Sequence, residues 1–165
     1  MSTPKDYPKR PYIGVDCSGQ PKMPPMIAVA TRWSRRQKQN KWIAQVKKEK
    51  ISKYRRKYRD WQEKLYAALF FKVIDEILVP HYEIHIDKEF PKHKTELKVY
   101  EYLKHLFGMI HSGDINKENP KISFHTKKHS EYVRHADKKT KWARDHKMKI
   151  DDKNATVDWL IRLLE

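Results

Sequence analysis

Apolar residues recur along this chain with two periods, and the switching between them lays out the elements. Tyr12-Ile-Gly-Val-Asp-Cys-Ser18 and Met26-Ile-Ala-Val-Ala-Thr-Arg-Trp33 are β-rich and predict two strands, joined by a Pro-punctuated hairpin loop over Gln20–Pro25. Lys41–Lys47 places Trp42, Ala44 and Val46 on one side and predicts a third strand. Tyr54, Tyr58, Trp61, Leu65 and Leu69 then follow i+3/i+4 spacing, which predicts one long helix from an N-cap at Ser52 to about Leu78, ended by Pro80. Its first half is basic; its second half, Ala67–Ile74, is apolar all round and reads as buried. Tyr82-Glu-Ile-His-Ile-Asp87 alternates with period two, as a strand does. His93–Phe107 reads as a helix with Leu97, Tyr100, Leu103 and either Leu106 or Phe107 on its core side. Lys121–Thr126 predicts a further strand, and Ser130 caps a helix to about Lys147. Thr156–Glu165 is a short amphipathic helix with Val157, Leu160, Ile161 and Leu164 on one face. Three strands first, then strands alternating with helices, predict an α/β fold: a mixed five-stranded sheet flanked by helices. That domain is expected over 12–150, after an extended basic arm at 1–11 and before a C-terminal amphipathic helix within 151–165.

Charge narrows the partners. Lys and Arg number 37 against 21 Asp and Glu in 165 residues, a formal net charge of +16. Such an excess points to a polyanion, nucleic acid being the commonest, against the plainer reading of a Lys-rich solvated surface. Basic runs at Arg32–Lys41, Lys47–Arg59 and Lys138–Lys149 interleave with Trp33, Trp42, Tyr54, Tyr58 and Trp142. The expected nucleic-acid contacts are Trp33, Arg35, Arg36, Lys41, Trp42, Lys127, Lys128 and Lys141, with Trp33 and Trp42 stacking on unpaired bases. Cys17 is the sole cysteine, which rules out an internal disulfide and a Cys-based zinc site and fits a reducing compartment. No apolar run approaches the roughly 20 residues that cross a bilayer, and residues 1–11 lack the apolar core of a secretory signal. The expectation is a cytoplasmic protein without a membrane partner. The apolar stripe of the last helix either packs on its own domain or makes a homo-oligomer. With four glycines and no Gly-rich phosphate loop, P-loop nucleotide binding is excluded.

The candidate chemistry lies in three acids. Asp16 ends a core strand whose preceding residues, Ile13, Gly14 and Val15, offer a charge nothing to pair with, so its placement is costly. Asp87 ends the strand that follows the long helix. Asp137 lies in the second turn of the last large helix, on the side of Val133 and Thr140. If the first and fourth strands are neighbours, Asp16 and Asp87 meet and Asp137 reaches them from above. Three such carboxylates repel, and hard divalent cations relieve that repulsion. The plainer fates are a turn cap at Ser18-Gly19 for Asp16, a pair with Arg134 or Lys141 for Asp137, and a loop acid beside Lys88 for Asp87.

Element order and acid placement over about 12–147 resemble the ribonuclease H-like superfamily of RuvC-type resolvases, integrases and transposases. Asp16-Cys17-Ser18-Gly19 resembles the Asp-x-Ser-Gly opening of one uncharacterised branch, and His135-Ala136-Asp137 resembles the motif on the last catalytic helix of RuvC-like members. The resemblance implies a nuclease in which Asp16, Asp87 and Asp137 are catalytic and hold two Mg²⁺ or Mn²⁺ ions, Asp16 bridging both. The family usually carries one more acid on its first long helix; Asp60 and Glu63 are the nearest, and Glu76 lies at the wrong end. The alternative is a non-catalytic, basic nucleic-acid-binding protein on an α/β scaffold.

Overall fold

The structure, a computed structural model, describes residues 12–20, 23–33, 40–79, 82–88, 90, 92–145 and 157–165. Side chains at 18–20, 23–25, 33, 40–45 and 144–145 are outside that description.

Strand β1 (Tyr12–Gln20) forms an antiparallel hairpin with β2 (Met23–Trp33), and β3 (Asn40–Val46) continues the antiparallel run. β4 (Glu83–Asp87) then pairs parallel with β1, and β5 (Lys121–His125) parallel with β4. The result is a mixed sheet in the order β3-β2-β1-β4-β5. β1 extends to Gln20 and β2 starts at Met23 rather than Met26, with a register shift between Ser18 and Gln20.

Helices divide unequally between the two sheet faces. On one face, Ile13 and Val15 of β1, Met26, Ala28 and Ala30 of β2, and Ile84 and Ile86 of β4 join a large apolar cluster. α1 (Lys48–Lys57), α2 (Trp61–Asp75), α3 (His93–Ile110) and α5 (Asp158–Leu163) contribute to that cluster. On the other face lies α4 (Glu131–Asp145), packed chiefly on β1 and β2. Alternation along β1, β2 and β4 assigns their described side chains to one environment or the other.

The single helix expected over 52–78 is two. It starts at Lys48, stops at Lys57 and restarts at Trp61, with Asp60 in the left-handed region at φ 51°. Unbroken, 27 residues would run about 40 Å, past the end of an 11-residue strand of about 36 Å. The break is held from α3, where Lys98 Nζ donates to Asp60 Oδ1 at 3.2 Å and Tyr102 Oη to Oδ2 at 3.0 Å. Ser52, the expected cap, lies inside α1. α3 is also rotated from its expected face: Val99, Leu103, Leu106 and Phe107 are buried, while Leu97 is 50% exposed. By contrast, Ser130 does cap α4, its Oγ accepting from Val133 N at 3.3 Å. Val157, Leu160, Ile161 and Leu164 belong to the apolar cluster beside α2, so the terminal stripe is used within the chain's own fold.

α4 approaches β1 at a position without a side chain. A Cβ on Gly14 would lie 2.2 Å from the carbonyl oxygen of Tyr132 and 2.5 Å from its carbonyl carbon. Backbone cannot rotate out of the way as a side-chain tip can, so Gly14→Ala must lift α4. The expected loss is about 2–3 kcal/mol, measured by urea unfolding; an unchanged midpoint would show that α4 is not seated as described.

Candidate carboxylate site

Asp16 and Asp87 come together because β1 and β4 are parallel neighbours. Their register pairs Val15 with Ile86, which sets Asp16 and Asp87 next in line where that parallel pairing ends. Asp87 is the last residue of β4, but Asp16 does not end its strand as expected: β1 continues to Gln20 because its antiparallel pairing with β2 runs on past Asp16. Both side chains are buried, at 2% and 5% exposure, and they lie within hydrogen-bonding reach of each other. Two carboxylates this close require a proton or a cation between them. Thr140 Oγ1 of α4 lies 2.6 Å from Asp16 Oδ2 and 2.8 Å from the Asp137 carbonyl oxygen, so its single proton serves one acceptor at a time. The other oxygen of Asp16, Oδ1, is buried and meets no hydrogen-bond donor among the described residues.

Asp137 lies close enough to Asp16 for their charges to interact, but lysines engage both its oxygens. Lys127 Nζ, from the loop after β5, is 3.0 Å from Oδ1, and Lys141 Nζ, one turn along α4, is 3.2 Å from Oδ2. The two acids are consequently driven in opposite directions. Burial pushes the Asp16 carboxyl above its ordinary range; hydrogen bonds from Asp87 and Thr140 oppose this, while the Asp137 charge adds to it. Burial also works to raise Asp137, but the bound ammoniums of Lys127 and Lys141 outweigh it and hold that carboxyl below its ordinary range.

α4 covers only part of its sheet face. Toward β4 and β5 the surface opens into a polar shelf, with Lys121 and Ser123 exposed and Glu83, His85 and His125 half-buried. This open half explains why a strand beside helices carries Glu83 and His85 on one face. His85 stacks on His125 with ring centroids 4.0 Å apart, and its Nδ1 lies 3.0 Å from Ser130 Oγ. Tyr12 stacks on Tyr132 at 4.3 Å, and both rings meet His85 edge-on. Asp87 pairs in register with His125, so the shelf leads to the carboxylates. Burial, reinforced by repulsion from His125, pushes the His85 imidazole down to about 4.

The fit to a metal is partial. The Asp16–Asp87 pair, with one buried oxygen lacking a donor, suits a hard divalent cation. Asp137 joins only by releasing a lysine, and among the described residues no three His, Cys, Asp or Glu side chains are arranged to hold a metal ion. Of the acids considered for a fourth ligand, Asp60 is engaged at both oxygens by Lys98 and Tyr102 of α3. Of the expected nucleic-acid contacts, Lys127 and Lys141 pair with Asp137, while Lys128 is exposed beside them. Arg35 and Arg36, and the side chains of Trp33, Lys41 and Trp42, lie outside the described residues. Sequence reasoning missed Thr140 as an Asp16 partner, although its i+3 spacing from Asp137 was the available signal. It also missed the His85–His125 stack, which depends on strand pairing. No protein-family profile matches the chain, and no curated protein matches it either. No helix among the described residues is long and apolar enough to cross a membrane.

Asp16→Asn places an amide donor beside Asp87 and removes a buried charge. In EDTA at pH 7 it should raise Tm by about 3 °C, equivalent to about 1 kcal/mol for a chain of this length. A carboxyl raised in the folded state binds protons more tightly there, so its stabilising contribution is full below the unfolded value of 3.8 and is lost as pH rises through the folded value. The advantage of the variant should therefore shrink toward pH 4; an equal gain at both pH values would contradict the assignment. Separately, NMR should find the His85 ring titrating at about 4. Because the unfolded ring binds protons from about 6.5, its contribution to stability is present near neutrality and is lost as pH falls through that window.

Proposed function

We propose that this chain is a divalent-metal-dependent nuclease with a ribonuclease H-like fold, hydrolysing phosphodiester bonds of DNA or RNA. The observation that carries the reading is the buried Asp16–Asp87 pair, where the parallel pairing of β1 with β4 ends, beside an open polar shelf. Such a pair costs stability, and using it to bind cations would explain its retention in a chain of net charge +16. Asp16 and Asp87 would hold Mg²⁺ or Mn²⁺, with Asp137 completing the set. When bound, a metal pair supplies an activated water and stabilisation of the leaving oxygen. Thr140 Oγ1 contacts Asp16 Oδ2, and both Asp16 and Asp87 are buried. Lys128 and the basic segments would neutralise substrate phosphates.

The alternative is a non-catalytic nucleic-acid-binding protein, favoured by the double engagement of Asp137 by Lys127 and Lys141. The two readings separate on cleavage of labelled DNA, RNA and hybrid substrates in Mg²⁺ or Mn²⁺. Asp16→Asn should reduce metal-dependent cleavage at least about 100-fold, more than loss of a ligand's neighbour usually gives, while binding in EDTA persists. Equal cleavage by the variant would end the nuclease reading.

A further inference from the structure

The two lysines on Asp137 are not equivalent. Lys141 stands one helical turn away on the same helix, and its side chain is 69% exposed, the ordinary geometry of a surface pair. Lys127 comes from a different element, the loop between β5 and α4, and its side chain is only 32% exposed. Its ammonium lies 3.0 Å from Asp137 Oδ1, and its charge also acts on Asp16. One cation thus serves carboxylates from β1 and α4 together. The buried Asp16 Oδ1 in the same cluster has no donor among the described residues.

We propose that Lys127 is the resident counter-cation of this site: its ammonium holds Asp137 in the absence of a divalent metal, yields that carboxylate when a metal binds, and then faces the phosphate of a bound strand. The proposal rests on the metal-dependent reading above. Its physical basis is charge balance. Without a cation, Asp16, Asp87 and Asp137 would repel one another, and an ammonium at Asp137 reduces that repulsion. A divalent ion at the same carboxylates repels the ammonium, so the two compete for Asp137. The lysine has a flexible four-carbon stem and binds as a point charge, so it can exchange a carboxylate for a nearby phosphate without the planar geometry that arginine needs.

Mn²⁺ titration calorimetry and thermal unfolding in EDTA, on the full chain, test this. The variants are the neutral Lys127→Met and Lys127→Gln, the charged Lys127→Arg, and Lys141→Met as the surface-pair comparison. Removing a competitor raises the fraction of protein ready to bind. The neutral variants should therefore bind Mn²⁺ about tenfold more tightly than wild type, yet show a lower Tm in EDTA. Their phosphodiester cleavage at saturating Mn²⁺ should fall. Lys127→Arg, which keeps the competing charge, should keep Mn²⁺ affinity near wild type, and Lys141→Met should change it less than about threefold. If wild type binds Mn²⁺ and both folded neutral variants bind it no more tightly, the counter-cation role is overturned while the nuclease reading stands. If only the neutral variants bind Mn²⁺, the counter-cation role is upheld and the metal-dependent activity of wild type falls. If none binds it, both are overturned.

Discussion

The seating of α4 on β1 through Gly14 governs the arrangement of the carboxylate site. With no side chain at that position, the Tyr132 backbone settles directly on the strand. From this contact the helix runs over β1 and β2 with Val133, Ala136, Thr140 and Ala143 buried beneath it. Thr140 then reaches Asp16, and Asp137 comes within range of its charge. A helix held further away would leave Asp16 to water and would dissolve the cluster. The glycine acts two residues before the acid, through backbone rather than through any polar contact.

The cluster is balanced rather than relaxed. Burial favours a proton on Asp16, while two ammoniums favour a bare carboxylate on Asp137. Equal treatment of the two acids would leave either excess negative charge or an inert pair of neutral acids. The opposed environments instead hold one carboxyl above its ordinary range and the other below it, a pattern common in sites that bind cations or move protons. The same opposition makes the cluster sensitive to any change in the cation that Asp137 holds.

Division of labour between the sheet faces makes this arrangement tolerable. The face under α1, α2, α3 and α5 carries nearly all the apolar packing. The α4 face can therefore hold Asp16, Asp87, Asp137 and the His85–His125 stack without the whole fold depending on it. Helix α5 adds to the apolar side, where Lys64 Nζ also meets Glu165 Oε2 at 2.5 Å.

Much of this layout is legible in the chain. Period-two and i+3/i+4 patterns depend only on local geometry, so the strands, the Ser130 cap and the buried stripe of the last helix can be read directly. The cost of Asp16 is equally local, because Ile13 and Val15 place it beside a core. The break at Asp60 and the rotation of α3 are not legible, since a continuous apolar stripe does not record sheet length or the reach of Lys98 and Tyr102. Nor does sequence reveal that Lys127, ten residues before Asp137, turns back onto it. Composition and pattern alone thus determined a basic α/β chain with a misplaced acid on its first strand. Only the tertiary structure decided which groups surround that acid, because parallel pairing of β1 with β4 and the close descent of α4 join residues more than seventy and one hundred and twenty positions apart.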